Sequence, residues 1–113
     1  MRLRPTPLLA LAVACLAVLA GPIAGSQARA VKTVTLRNIA FSPKRLTVAR
    51  NTTVTFSWRD GGTTHNVTSI GRKRFKSIPD RSAGSRSVRF TRAGTYRYEC
   101  TLHPGMTGTI VVH

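Results

Sequence analysis

Near its C-terminus the chain reads Tyr96-Arg97-Tyr98-Glu99-Cys100-Thr101-Leu102-His103-Pro104-Gly105-Met106. A thiol, an imidazole and a thioether follow one another at intervals of three residues. Taken singly, a cysteine is most often a small buried hydrophobe and a methionine core filler. Taken together, Cys-x2-His-x2-Met is a set of soft and borderline metal ligands. Two other histidines exist, His65 and His113. His113 ends the chain, where fraying is expected. His65 follows a turn, opens a short strand, and stands far enough before Cys100 to lie on a neighbouring strand. One thiolate, two imidazoles and one thioether suit copper better than structural zinc, which takes several thiolates or thiolates with imidazoles. A trigonal His2Cys plane with a weak axial Met is the pattern of one-electron copper centres. The expected ligands are His65, Cys100, His103 and Met106, and the expected cofactor is one copper ion.

Such a set works only if the backbone aims it. In Tyr96 to Cys100 alternate residues face opposite ways, and the charged Arg97 and Glu99 mark the solvent side. Cys100 therefore points inward with Tyr96 and Tyr98, at the end of a strand. Pro104-Gly105 supplies a turn that returns the chain to a strand from about Thr107, carrying His103 and Met106 past the thiol. Elsewhere the same period of two recurs in Val31–Leu36, Leu46–Val48, Thr53–Trp58, Val67–Ile70, Ser85–Phe90 and Thr107–Val112. Val54, Phe56 and Trp58 share one face. Ser42-Pro43, Asp60-Gly61-Gly62, Ile78-Pro79-Asp80 and Ala93-Gly94 separate these segments. No window carries a helical stripe, so the expected class is all-β, a sandwich or barrel. Gly71 to Gly84 is the least regular stretch and reads as a surface excursion.

The chain has 113 residues, enough for one domain. Arg2 and Arg4, the uncharged run Leu8 to Ala20, the breakers Gly21-Pro22, and Ala28-Arg29-Ala30 follow the layout of a secretory signal peptide. Cleavage after Ala30 is expected, giving a signal at 1–30 and a domain at 31–113. The alternatives are a retained anchor, for which the run is short, and lipid attachment at Cys15. Localisation is then periplasmic, extracellular or at the cell surface. Cys100 is left without an intramolecular disulfide partner, so burial, another chain or a metal must account for it. Without Arg2, Arg4 and Arg29, 15 basic residues face Asp60, Asp80 and Glu99, a net side-chain charge of +12. This favours anionic partners in a salt-sensitive way. The basic residues are scattered in sequence, and Arg72-Lys73-Arg74 is too short to mark specific nucleic-acid binding.

The sequence resembles the cupredoxins, small blue copper proteins of the plastocyanin and amicyanin type. The resemblance rests on GTYRYECTLHPGMTGTIVV and on FSPKRLTVARNTTVTFSWRDGGTTHNV, and spans roughly Val34 to Val112. It implies a Greek-key β-sandwich of about seven or eight strands. It implies copper ligation by His65, Cys100, His103 and Met106, and a role for Asn66 in tying the two ligand loops together. It also implies an exposed His103, rimmed by Leu102, Pro104, Gly105 and Met106, where a redox partner docks. The expected function is one-electron transfer without enzymatic turnover, by a monomer, with a partner of acidic surface. The alternative is copper delivery, storage or protection outside the cytoplasm, using the same four residues.

Overall fold

The computed structural model describes residues 30–113, together with Arg2 and Leu3. The signal peptide expected at 1–30 falls almost wholly outside the described residues. Among the described residues no helix is long and apolar enough to cross a membrane.

Among the described residues nine strands form two mixed sheets: β1 (Val31–Arg37), β2 (Ala40–Ser42), β3 (Arg45–Val48), β4 (Thr52–Trp58), β5 (His65–Ile70), β6 (Ile78–Arg81), β7 (Gly84–Phe90), β8 (Gly94–Glu99) and β9 (Thr107–Val112). One sheet runs β2-β1-β4-β7 and the other β3-β9-β8-β5-β6. Several hydrogen-bonded neighbours are distant in sequence, so the chain crosses repeatedly between the layers, as in a Greek key. β1 and β4 are parallel, as are β3 and β9, while the remaining pairs are antiparallel. The strands read from sequence are all present. The two additions, β2 and β6, are short and lack alternation of their own. β6 lies within the stretch expected to be irregular, because it is a brief edge partner of β5.

The period of two sets the core. β4 alternates strictly, burying Thr52, Val54, Phe56 and Trp58. Val34 and Leu36 of β1 and Phe90 of β7 join them from the same sheet. Val67, Tyr96, Tyr98, Ile110 and Val112 close the core from the other sheet. Each such side chain contributes on the order of 1.5–3 kcal/mol when fully buried. Tyr98 lies among aromatic edges, 4.7 Å from the Phe41 ring and 5.5 Å from Phe56. Its cross-strand partner is Gly108. A Cβ there would stand 2.3 Å from the Tyr98 ring, so only glycine lets the phenol lie across β9. The Tyr98 hydroxyl is buried without a hydrogen-bond partner.

Among the described residues the core and every strand lie within residues 31–113. The two ends of the sandwich differ. At one end stand the close of β1, β4 and β8 and the start of β5, β7 and β9. At the other stand the start of β1 and β4 and the turns that follow β3, β5 and β7.

Candidate metal centre

The first end carries the expected ligands. Cys100 directly follows β8 and is 2 % exposed, turned inward beside Tyr98 as strand parity requires. The loop from Cys100 to Met106 is closed by its own backbone. Cys100 N donates to Met106 O at 2.9 Å, and Met106 N donates to His103 O at 3.1 Å. Gly105 adopts φ of +85°, a left-handed turn conformation that glycine adopts without steric cost. His103 is thereby brought back over the thiol, and its ring stays partly open to solvent. Met106 is buried at the foot of β9.

His65 opens β5 and is fully buried. The sole tryptophan, Trp58, donates its indole Nε1–H to the His65 carbonyl at 2.9 Å and so fixes the backbone there. The His65 ring is fixed by Asp60, whose Oδ2 lies 2.7 Å from Nε2. A carboxylate can only accept, so Nε2 carries the proton and the Nδ1 lone pair is left free to face the centre. Asp60 is held in turn by the β1–β2 turn, where Asn38 N donates to Oδ1 at 2.9 Å and Ile39 N to Oδ2 at 3.0 Å. Both turn residues have φ of +54°, which is unusual for a β-branched residue such as Ile39. The Ile39 backbone N–H, then the His65 ring, hold the Asp60 carboxyl below its ordinary value.

Three donor atoms converge. The Nδ1 atoms of His65 and His103 are 3.2 Å apart. Cys100 Sγ lies 3.8 Å from His65 Nδ1 and 3.5 Å from His103 Nδ1. An ion about 2.0 Å from each nitrogen and about 2.3 Å from sulfur, in a trigonal plane, sets its donors roughly 3.5–3.7 Å apart. The observed triangle fits that geometry with little adjustment. Among the described residues these three form the one cluster of His, Cys, Asp or Glu suited to a metal. His113 is remote from it, its backbone paired with Val48 and Arg50 at the far end.

Asn66 ties the two ligand-bearing segments. Its Oδ1 accepts from Thr101 N at 3.0 Å and from Thr68 Oγ1 at 2.8 Å. Its Nδ2 donates to Thr101 Oγ1 at 2.7 Å and to Asp80 Oδ1 at 3.0 Å. Asp60 and Asp80 were not assigned these supporting roles from sequence. The available signal is their rarity: a chain with three acids places one five residues before a candidate ligand histidine.

A two-layer β fold with a Cys–His–His triangle at one end defines a class of metalloprotein, and the comparisons agree. The cupredoxin-like domain model matches residues 8–112, and the chain belongs to that family. No curated protein matches the chain. Among solved structures, a reduced amicyanin variant is 33% identical, with a TM-score of 0.64, over 74% of this chain and 82% of that one. A purple cupredoxin from Nitrosopumilus maritimus shares the fold at 23% identity and a TM-score of 0.64, over 73% of this chain and 99% of that one. A copper-containing nitrite reductase from Thermus scotoductus is 27% identical, with a TM-score of 0.65, over 73% of this chain and 22% of that one.

Proposed function

We propose that this chain is an exported type 1 copper protein that carries single electrons between redox partners. His65, Cys100, His103 and Met106 serve as its ligands. The observation that supports this most is the triangle of two Nδ1 atoms and one Sγ. Copper bound there would supply the one-electron Cu(I)/Cu(II) couple. Cys100 provides a polarisable thiolate, His65 a lone pair oriented by Asp60, and Met106 the weak fourth donor. His65 and Cys100 are buried, Cys100 held by its hydrogen-bonded loop and His65 by Asp60 and Trp58. Such fixed donors keep rearrangement small between oxidation states, which favours a carrier over a protein that releases its ion.

His103 is the ligand nearest solvent, and Leu102 beside it is 46% exposed. The pair forms an apolar point of contact for a redox partner, of the small kind that weak electron-transfer encounters use. On this reading the protein acts as a carrier, not an enzyme.

Adding Cu(II) to reduced residues 31–113 should give an intense thiolate-to-copper band and reversible one-electron reduction. Cys100→Ser should abolish the band. Met106→Leu should keep the band and change the potential. A colourless complex with Cys100 reduced and intact would reject the proposal. Transfer of Cu(I) to a chelating acceptor faster than electron exchange would support copper delivery instead.

A further inference from the structure

Folding sorts the charges that are scattered in sequence. At the copper-binding end Asp60, Asp80 and Glu99 are balanced by Arg37, Arg59 and Arg81. Lys44, Arg45, Arg86 and Arg97 form a belt around the middle of the strands. The opposite pole holds the other eight cations of residues 31–113 and no acid. Lys32 and Arg50 lie at the start of β1 and after β3. Arg72, Lys73, Arg74 and Lys76 come from the β5–β6 connection, and Arg89 and Arg92 from the end of β7 and its turn. All eight are exposed.

The pole is built and not merely crowded. Lys73 Nζ donates to Ala93 O at 2.6 Å, tying the β5–β6 connection to the β7–β8 turn. Arg74 donates from Nε to Gly71 O at 2.7 Å and from Nη1 to Ser69 O at 2.8 Å. These bonds hold like charges together around an open cleft of about 380 Å³, lined by Arg74, Lys76, Arg89, Arg92 and Tyr96. A second cleft of about 210 Å³ adjoins it between Lys73, Arg74 and Arg92. Clefts lined by several cations, with Phe75, Phe90 and Tyr96 beside them, suit phosphate groups carried on an apolar body.

We propose that this pole binds the anionic phosphate headgroups of a lipid bilayer, leaving the copper-binding end turned away from the membrane. The chain path supports a bilayer. Ala30 O accepts from Thr53 N at 3.0 Å at this pole, so until the expected cleavage after Ala30 the apolar run Leu8 to Ala20 is attached here, and export places this pole beside the bilayer. β4, which spans the sandwich from pole to pole, has seven residues. At about 3.3 Å per residue that is roughly 23 Å, nearly three Debye lengths of about 8 Å at physiological salt. The headgroup field therefore acts on one pole and leaves encounters at His103 nearly unaffected.

The test is vesicle co-sedimentation of the full chain and of residues 31–113, each with and without copper, so that its outcome is independent of the copper reading. Phosphatidylcholine vesicles with phosphatidylglycerol should capture both forms, and pure phosphatidylcholine should not capture residues 31–113. Arg89→Gln with Arg92→Gln should weaken binding about 25-fold, near five-fold for each basic residue at a membrane surface. Arg37→Gln with Arg59→Gln, at the other end, should leave it unchanged. Bound, copper-loaded protein should still be reduced by a soluble donor at the free rate. Equal losses from the two double variants, or loss of reduction on binding, would overturn the proposal. So would displacement by millimolar inorganic phosphate, which would mark a free-anion site. Retention on a polyphosphate resin without capture by vesicles would assign the pole to a soluble polyanion and overturn it too.

Discussion

Asp60 Oδ2 accepts the Nε2 proton of His65 at 2.7 Å, so the orientation of a buried ring proposed as a ligand is set from a turn on the opposing sheet. Asp60→Ala removes the acceptor and releases both backbone donors of the Asn38-Ile39 turn. Supporting groups of this kind are typically worth 10–100-fold in metal affinity. We expect Cu(II) affinity to fall by about that range, with a broadened or shifted visible band, measured by competition with a calibrated chelator. Asp60→Asn, which retains one acceptor oxygen, should fall between the two.

Asn66 is buried and makes four side-chain hydrogen bonds, two of them to Thr101 beside the thiol. Asn66→Ala leaves Thr101 N and the Asp80 carboxylate short of partners. The expected cost is about 1–3 kcal/mol of stability, from the price of unmade buried hydrogen bonds. Thermal unfolding of the metal-free domain checks this. Because Asn66 joins the two ligand segments, the copper-loaded variant should also show a wider spread of site geometries in its electron paramagnetic resonance lines.

Tyr98 carries a buried hydroxyl without a partner, and burial pushes its phenol well above the ordinary 10.0. Tyr98→Phe removes the unsatisfied group and keeps the ring, so stability at neutral pH should rise by about 1 kcal/mol. The pH dependence follows from the direction of the shift. The folded state keeps the neutral phenol where the unfolded chain ionises. The contribution is complete below the unfolded value and is lost as pH rises above it toward the folded one. The parent should therefore lose stability above about pH 10, and the phenylalanine variant should lose less, as measured by denaturant titration across that range.

Gly108→Ala drives a methyl into the same ring, with three Tyr98 atoms within 2.5 Å of the ideal Cβ. Tyr98 is fully buried and cannot swing away, so overpacking should cost about 1–3 kcal/mol. Differential scanning calorimetry of the variant should show a lower midpoint.

The sheet-forming segments and three of the four proposed ligands were plain in the sequence for one physical reason. Period-two alternation records which face is buried, and in Tyr96–Cys100 it also records where the thiol points. His65 followed because few histidines were available. What alternation cannot carry was missed. β2 and β6 are too short to alternate and depend on their neighbours. Asp60 reads as part of a turn, because its partners Asn38 and Ile39 lie 22 and 21 residues away. The basic pole was invisible for the same reason: the start of β1, the β3–β4 turn, the β5–β6 connection and the β7–β8 turn meet only in the folded chain.

The bond from the Trp58 indole to the His65 carbonyl has a practical corollary. Trp58 is the one tryptophan of the chain and is 4 % exposed, with the Arg81 guanidinium 5.7 Å from its ring. Its emission therefore comes from a single buried environment bonded to a proposed ligand residue. Filling the neighbouring centre with copper should change that emission, and titrating the metal-free protein with copper under fluorescence detection checks this.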